Sequence, residues 1–264
     1  MKYTKIIAIS SIFFPAFLFA SGPEKYDHMR KYKEQSVIQQ GPSNEVAFDK
    51  KGKKIASATY KYNKNGQLIE SLYNKDQKSD GRSEYTYKDN NLKVETLYSK
   101  DDKVIEKILY SYNRQNEIRG YSVKDDQGKE VLRWKFNYSR KKLMSGKRVI
   151  KRELTEKFTV GYHKNGKIVR EIFSSTGEKV GTIFSNWSNH KLIQRTKKDT
   201  TGVYKIYYHY NDKQQLVKMT FYNTVHGKLE LSKTHKFTYG SVEKISHDHK
   251  ADYTPKKEAT LVRE

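Results

Sequence analysis

Residues 132–138 read Leu132-Arg133-Trp134-Lys135-Phe136-Asn137-Tyr138, bulky at every second position and polar between. A period of two puts Leu132, Trp134, Phe136 and Tyr138 on one face of an extended strand and Arg133, Lys135 and Asn137 on the other. The alternation recurs at Phe158, Val160 and Tyr162, and again at Tyr204, Ile206, Tyr208 and Tyr210. Tyr, Phe, Val, Ile and Thr suit such a pleated, half-covered surface.

Working outward from Tyr138, the aromatic that closes each run repeats along the chain. The anchors are Tyr62, Tyr87, Tyr112, Tyr138, Tyr162, Trp187, Tyr210 and Tyr239, spaced by 25, 25, 26, 24, 25, 23 and 29 residues. A second series (Phe48, Tyr73, Tyr98, Val123, Arg148, Phe173) lies between them at a constant 25. Turns follow the anchors. Asn63-Lys64-Asn65-Gly66 and His163-Lys164-Asn165-Gly166 carry Asn-Gly, which accepts positive φ in a hairpin. Turns this short can join only antiparallel neighbours. The chain is therefore expected to be all-β, an antiparallel β-meander of about 16 strands built from ~25-residue two-strand repeats. An open sheet of that size would be roughly 75 Å long and would bare one aromatic face along its length. The expected form is thus a curved or rolled sheet with the tyrosines inward, a single layer being the other form allowed.

Composition narrows the function. The 264 residues include 53 Lys+Arg against 30 Asp+Glu, a net charge of +23, with 35% hydrophobic residues, 21 tyrosines and no cysteine. The lack of cysteine excludes a disulfide scaffold, a thiolate metal site and a cysteine nucleophile. The aromatic content argues against plain disorder, and the low aliphatic content fits a thin or rolled sheet. Lys2 and Lys5 precede the apolar run Ile6 to Ala20, and Ala20-Ser21-Gly22 offers small residues for cleavage. Residues 1–20 are read as a signal peptide, since the run is shorter than the about 20 apolar residues of a membrane-spanning helix. Its removal takes two lysines, leaving +21 on the exported chain. Residues 21–45 are expected to form an N-terminal cap segment with a short helix allowed, 46–245 the β-repeat domain, and 246–264 a flexible C-terminal tail.

Tyr62-Asn63-Lys64-Asn65-Gly66-Gln67-Leu68 resembles the tyrosine-aspartate (YD) repeat consensus, as does Tyr162-His163-Lys164-Asn165-Gly166-Lys167-Ile168. Tyr112-Asn113 and Tyr210-Asn211 keep the dipeptide without the glycine, and Tyr138-Ser139 and Trp187-Ser188 depart further. The resemblance implies an exported bacterial repeat protein whose relatives form β-shells or adhesive surface rods. In architecture the lysine-rich meander is also similar to single-layer outer surface lipoproteins, although it lacks their lipidated cysteine.

No HExxH, GxSxG, P-loop or GxGxxG occurs. Ser241-Val242-Glu243-Lys244 is read as a repeat ending and His247-Asp248-His249 as an adventitious metal contact. His163 and His209 are read as surface residues, and Asp101-Asp102 and Asp125-Asp126 as turn formers. Neither catalysis, a cofactor nor a resident metal is expected. The basic clusters stand out instead: Arg140, Lys141, Lys142, Lys147, Arg148, Lys151 and Arg152, then Arg195, Lys197 and Lys198. In a regular meander such residues line up in rows, and a positive stripe attracts polyanions. The expected function is an exported envelope or surface binding and adhesion module, in the periplasm, at the outer-membrane surface or outside the cell. Its partner would be an anionic polymer (glycan, lipopolysaccharide or headgroup) or an envelope or host protein, with nucleic acid disfavoured by export. The alternatives are a self-associating structural subunit and a small outer-membrane β-barrel. The barrel asks for strands of about 9–11 residues with an apolar outer band, whereas the repeat leaves about eight and sets lysines on both faces.

Overall fold

The computed structural model describes residues 41–240 apart from Gln77 and Asn165. The signal peptide, most of the cap segment, the tail and the motifs at 241–249 lie outside the described residues. Sixteen strands follow in chain order: β1 (Asn44–Asp49), β2 (Lys54–Tyr62), β3 (Leu68–Lys75), β4 (Lys78–Lys88), β5 (Asn91–Tyr98), β6 (Val104–Tyr112), β7 (Ile118–Asp125) and β8 (Glu130–Ser139) form the first half. The second half is β9 (Lys142–Ile150), β10 (Glu153–Tyr162), β11 (Lys167–Ser174), β12 (Lys179–Ser188), β13 (Lys191–Asp199), β14 (Gly202–Tyr210), β15 (Leu216–Val225) and β16 (Lys228–Thr238).

Each strand pairs antiparallel with its neighbours, and β1 pairs with β16 from Asn44↔Thr238 to Asp49↔Lys233. The antiparallel all-β meander is as expected, but the sheet is a closed barrel rather than a curved or rolled sheet or a freestanding single layer. Closure removes both unpaired edges and covers the aromatic face, the two liabilities of an open meander. Followed from pair to pair, the register returns to β1 displaced by about 16 residues, a strand tilt of roughly 37° and a backbone diameter of roughly 28 Å for a circular section. Register shifts close to the turns, such as those at Tyr62, Tyr87, Tyr112 and Tyr138, add the local twist that bends the sheet round.

The anchors now have a mechanical role. The Tyr87 hydroxyl donates to the Leu68 carbonyl at 2.9 Å, Tyr112 to Leu92 at 2.8 Å, Tyr162 to Leu143 at 2.8 Å, Tyr210 to Leu192 at 3.0 Å and Tyr239 to Leu216 at 3.0 Å. These five anchors therefore latch their hairpins to the one before. The accepting leucines, which open the strand after each turn, are buried. The polar residue after the anchor holds the turn: the Asn63 side-chain oxygen accepts from the Asn65 and Gln67 amides, both at 3.0 Å.

The two faces of the sheet differ in chemistry. The lumen side carries Tyr60, Tyr73, Tyr85, Tyr110 and Tyr121 on β2–β7, then Trp134, Phe136 and Phe158 on β8 and β10. Trp134, Phe158, Ile206 and His235 are fully buried there. The outer wall is mixed: Lys107, Lys135, Lys147, Lys157, Lys198 and Lys236 are exposed on it, and Leu72, Leu109, Phe173, Phe184, Tyr207 and Tyr222 share that face.

Candidate functional site

The basic residues singled out in the sequence do not form one stripe. Period two splits them between faces. Arg148 lies opposite Trp134 on the lumen side, its Nη2 3.3 Å from Glu156 Oε2 and its Nε donating to Thr155 Oγ1 at 3.2 Å. Arg195 is buried with Nε 3.4 Å from Ser185 Oγ, and Lys197 faces inward as an ion pair with Asp199. Lys198 lies on the outer wall, its ammonium 5.8 Å from the Phe184 ring centre. Arg140 and Lys141 form the β8–β9 turn at one rim, with Lys142 beginning β9 and lying 5.2 Å over the Tyr162 ring. Lys151 and Arg152 form the β9–β10 turn at the other rim, roughly 33 Å away along β9.

Lys147 alone of that set belongs to a continuous row. It lies directly opposite Lys135 on β8 and directly opposite Lys157 on β10. All three are exposed and, among the described residues, none has an ion-pair partner. Residues directly opposite in an antiparallel ladder have Cβ atoms about 4.5–5.5 Å apart, and like charges there destabilise the sheet. Lys107 and Lys124 form another such pair on β6–β7, as do Lys218 and Lys236 on β15–β16. Beside the last pair lies His209, whose imidazole is held below its ordinary value by burial and then by the Lys218 ammonium.

Two consecutive tight turns break the usual turn chemistry. Arg140 and Lys141 have φ of 47° and 62°, and Lys151 and Arg152 have 48° and 71°. Paired positive φ favours Asn-Gly, and a long side chain there carries backbone strain. Replacing Arg140-Lys141 by Asn-Gly is expected to raise stability by about 1 kcal/mol in urea unfolding. It should also weaken polyanion retention, since it deletes two rim cations.

Beside the Arg140-Lys141 turn lies a groove of about 460 Å³, walled on its other side by the β6–β7 turn. Glu117, Arg119, Tyr138, Arg140 and Lys141 contribute to it. Glu117 is 5% exposed; its Oε2 accepts from Asn113 Nδ2 at 2.7 Å, whereas Oε1 is buried without a partner.

Inside the barrel, at the closing seam, Glu45 accepts from the Tyr60 hydroxyl and pairs with His235 Nδ1. The ring of His235 packs on Phe221 at 4.8 Å between centres. Further round, Tyr110 donates to Glu95 at 3.1 Å and Tyr73 to Ser83 at 3.1 Å, while the Arg170 guanidinium lies 4.3 Å over Phe158. Burial pushes the Tyr60, Tyr85 and Tyr110 hydroxyls far above their ordinary value and Tyr73 up to about 12. Burial also pulls the Lys233 ammonium down to about 8.

These shifts set an alkaline limit with two opposed parts. Between about pH 8 and 10.4 the unfolded chain holds the Lys233 proton that the folded chain has lost, so this group makes stability rise with pH. Above about pH 10 unfolded tyrosines ionise while the buried ones stay protonated, so stability falls steeply. Urea midpoints measured across this range are expected to hold or rise to about pH 10 and then collapse.

Glu45, His235, Glu117 and Arg119 are not among the residues singled out in the sequence. Lys135 and Lys157 are legible in the sequence only as polar-face residues, without Lys147 between them.

No family model matches the chain, and neither does any curated protein. Among solved structures the chain is similar to a porin-like protein from Bacteroides uniformis, at 11% identity and a TM-score of 0.53, covering 77% of this chain and 98% of that one. A porin-like protein from Bacteroides vulgatus aligns at 7% identity and a TM-score of 0.39 over 76% of this chain and 99% of that one. The first likeness extends to the fold, an antiparallel barrel closed on itself.

Proposed function

We propose that the chain is a non-catalytic exported barrel that stands in water and holds anionic polymers on its outer wall. The observation that carries this is the row Lys135–Lys147–Lys157, three exposed like charges held directly opposite one another. A row that opposes its own sheet is offset when an anionic chain lies along it and releases counterions. The convex wall suits a flexible linear polymer, which can follow the curve where a flat bilayer touches only a strip. The purified chain, freed of detergent, should bind a heparin column and elute only at high salt. Elution at low salt would contradict the proposal.

A small outer-membrane barrel is the second reading, favoured by the closure of the sheet and by the fold likeness to a porin-like protein. Strands mostly of 9–11 residues and the outward Leu72, Phe173, Phe184, Tyr207 and Tyr222 also suit it, and its difficulty is the outward lysines. Lysine at the bilayer midplane costs about 2–4 kcal/mol each, and Lys107, Lys135, Lys147 and Lys157 all lie near the middle of their strands. Fractionation separates the two: membrane retention that needs detergent to reverse favours the outer-membrane barrel, and detergent-free solubility favours the water-standing one.

A further inference from the structure

We propose that the groove between the β6–β7 and β8–β9 turns binds an acidic sugar unit, one that carries hydroxyls and a single carboxylate or sulfate. This rests on the polyanion reading above and names the polymer's class as an acidic glycan.

The groove departs from the repeat that surrounds it. In the β2–β3 turn Asn63 Nδ2 donates to Gln67 Oε1 at 2.8 Å, and Gln67 Nε2 donates onward to Asn90 Oδ1 at 3.3 Å, closing the space between successive turns. The β14–β15 turn has the same first link, Asn211 Nδ2 to Gln215 Oε1 at 3.0 Å. At the β6–β7 turn the residue in that place is Glu117, which keeps the link to Asn113 at 2.7 Å. A carboxylate has no N–H to pass onward, and the next turn offers Arg140 and Lys141 in place of an amide. The amide bridge is absent, a groove of about 460 Å³ stands open, and the buried Glu117 Oε1 has no donor.

A buried carboxylate oxygen without a partner is costly, and a ligand hydroxyl that donates to it removes the cost. Arg119, Arg140 and Lys141 are exposed at the same groove, and none has an ion-pair partner among the described residues. They supply the charge and the planar fork that an acidic group takes. Tyr138 gives an aromatic wall for the apolar face of a sugar ring. Hydroxyl acceptor, cations and ring face together specify an acidic saccharide, rather than a bare anion that needs no acceptor or a neutral sugar that needs no cation.

The test titrates a heparin-derived disaccharide, with maltose as the neutral control, into the full exported chain. Glu117→Gln is the first variant, because Gln67 and Gln215 fill the same place in their own turns and the fold accepts glutamine there. Wild type should bind the acidic disaccharide and prefer it to maltose. Glu117→Gln should weaken binding about tenfold. Arg119→Ala with Lys141→Ala should abolish the preference over maltose. The row variant Lys135→Gln, Lys147→Gln, Lys157→Gln should bind the disaccharide as wild type does while its polymer retention weakens. Equal affinity of wild type and Glu117→Gln, or equal affinity for maltose, would overturn the groove. Polymer retention without any disaccharide binding would overturn it too, and leave the outer-wall reading standing. Disaccharide binding without polymer retention would remove the outer wall and leave the groove.

Discussion

Replacing Glu45 by alanine is expected to destabilise the barrel by about 3–5 kcal/mol, the largest effect of any single polar change described above. Glu45 lies on β1 and His235 on β16, so their pairing spans the one ladder that closes the sheet. Removing the carboxylate leaves the fully buried imidazole and the Tyr60 hydroxyl without their partner at once. β1 is also the shortest strand, six residues, so the seam has few other bonds to share the loss. Glu45→Gln keeps an acceptor for Tyr60 and should cost clearly less than alanine. Urea unfolding measures both. A loss below about 1 kcal/mol in the alanine variant would mean that the pair does not hold the seam.

The second large effect concerns the outer wall. Lys135→Gln, Lys147→Gln and Lys157→Gln together should lower affinity for a sulfated polymer at low salt by tenfold or more, and flatten the slope of log affinity against log salt by about two. Stability should stay level or rise, because three mutually repelling charges are removed from adjacent ladder positions. The two readouts moving in opposite directions separate a binding role from a folding role. An unchanged salt slope would remove the row from the binding surface.

Much of the fold was legible because the repeat is physical as well as textual. An aromatic every ~25 residues marks the rim where Tyr87, Tyr112, Tyr162, Tyr210 and Tyr239 latch their hairpins to the one before, and the Asn-Gly turns prescribe antiparallel neighbours. Closure was not legible. It depends on β1 meeting β16, and the Glu45–His235 contact joins residues 190 apart with no local signature. Arg148, Arg195 and Lys197 were assigned to a surface because they cluster in sequence, yet a strand sends alternate residues to opposite faces. The lysine row was hidden by a single residue. In the β8–β9 hairpin Asn137 pairs with Ser145 but Tyr138 pairs with Leu143, so one extra residue lies between the turn and Lys147. Counting outward from the turn without that bulge sets Lys147 on the wrong face. The groove at Glu117 was within reach, since aligning the repeats sets Glu117 against Gln67, Lys167 and Gln215 and exposes the one carboxylate at that place.

The barrel is closed, and in the function proposed above its lysine-bearing wall faces water. The chain has no cysteine, so a designed pair reports cleanly. Val46 and Lys236 are paired across the β1–β16 seam and both lie on the outer wall. In the double variant Val46→Cys, Lys236→Cys, oxidised in detergent-free buffer, a nearly complete intramolecular disulfide is expected, seen as a mobility shift reversed by reductant. Free thiols or intermolecular dimers in that buffer, with the internal bond forming only in detergent, would contradict the account.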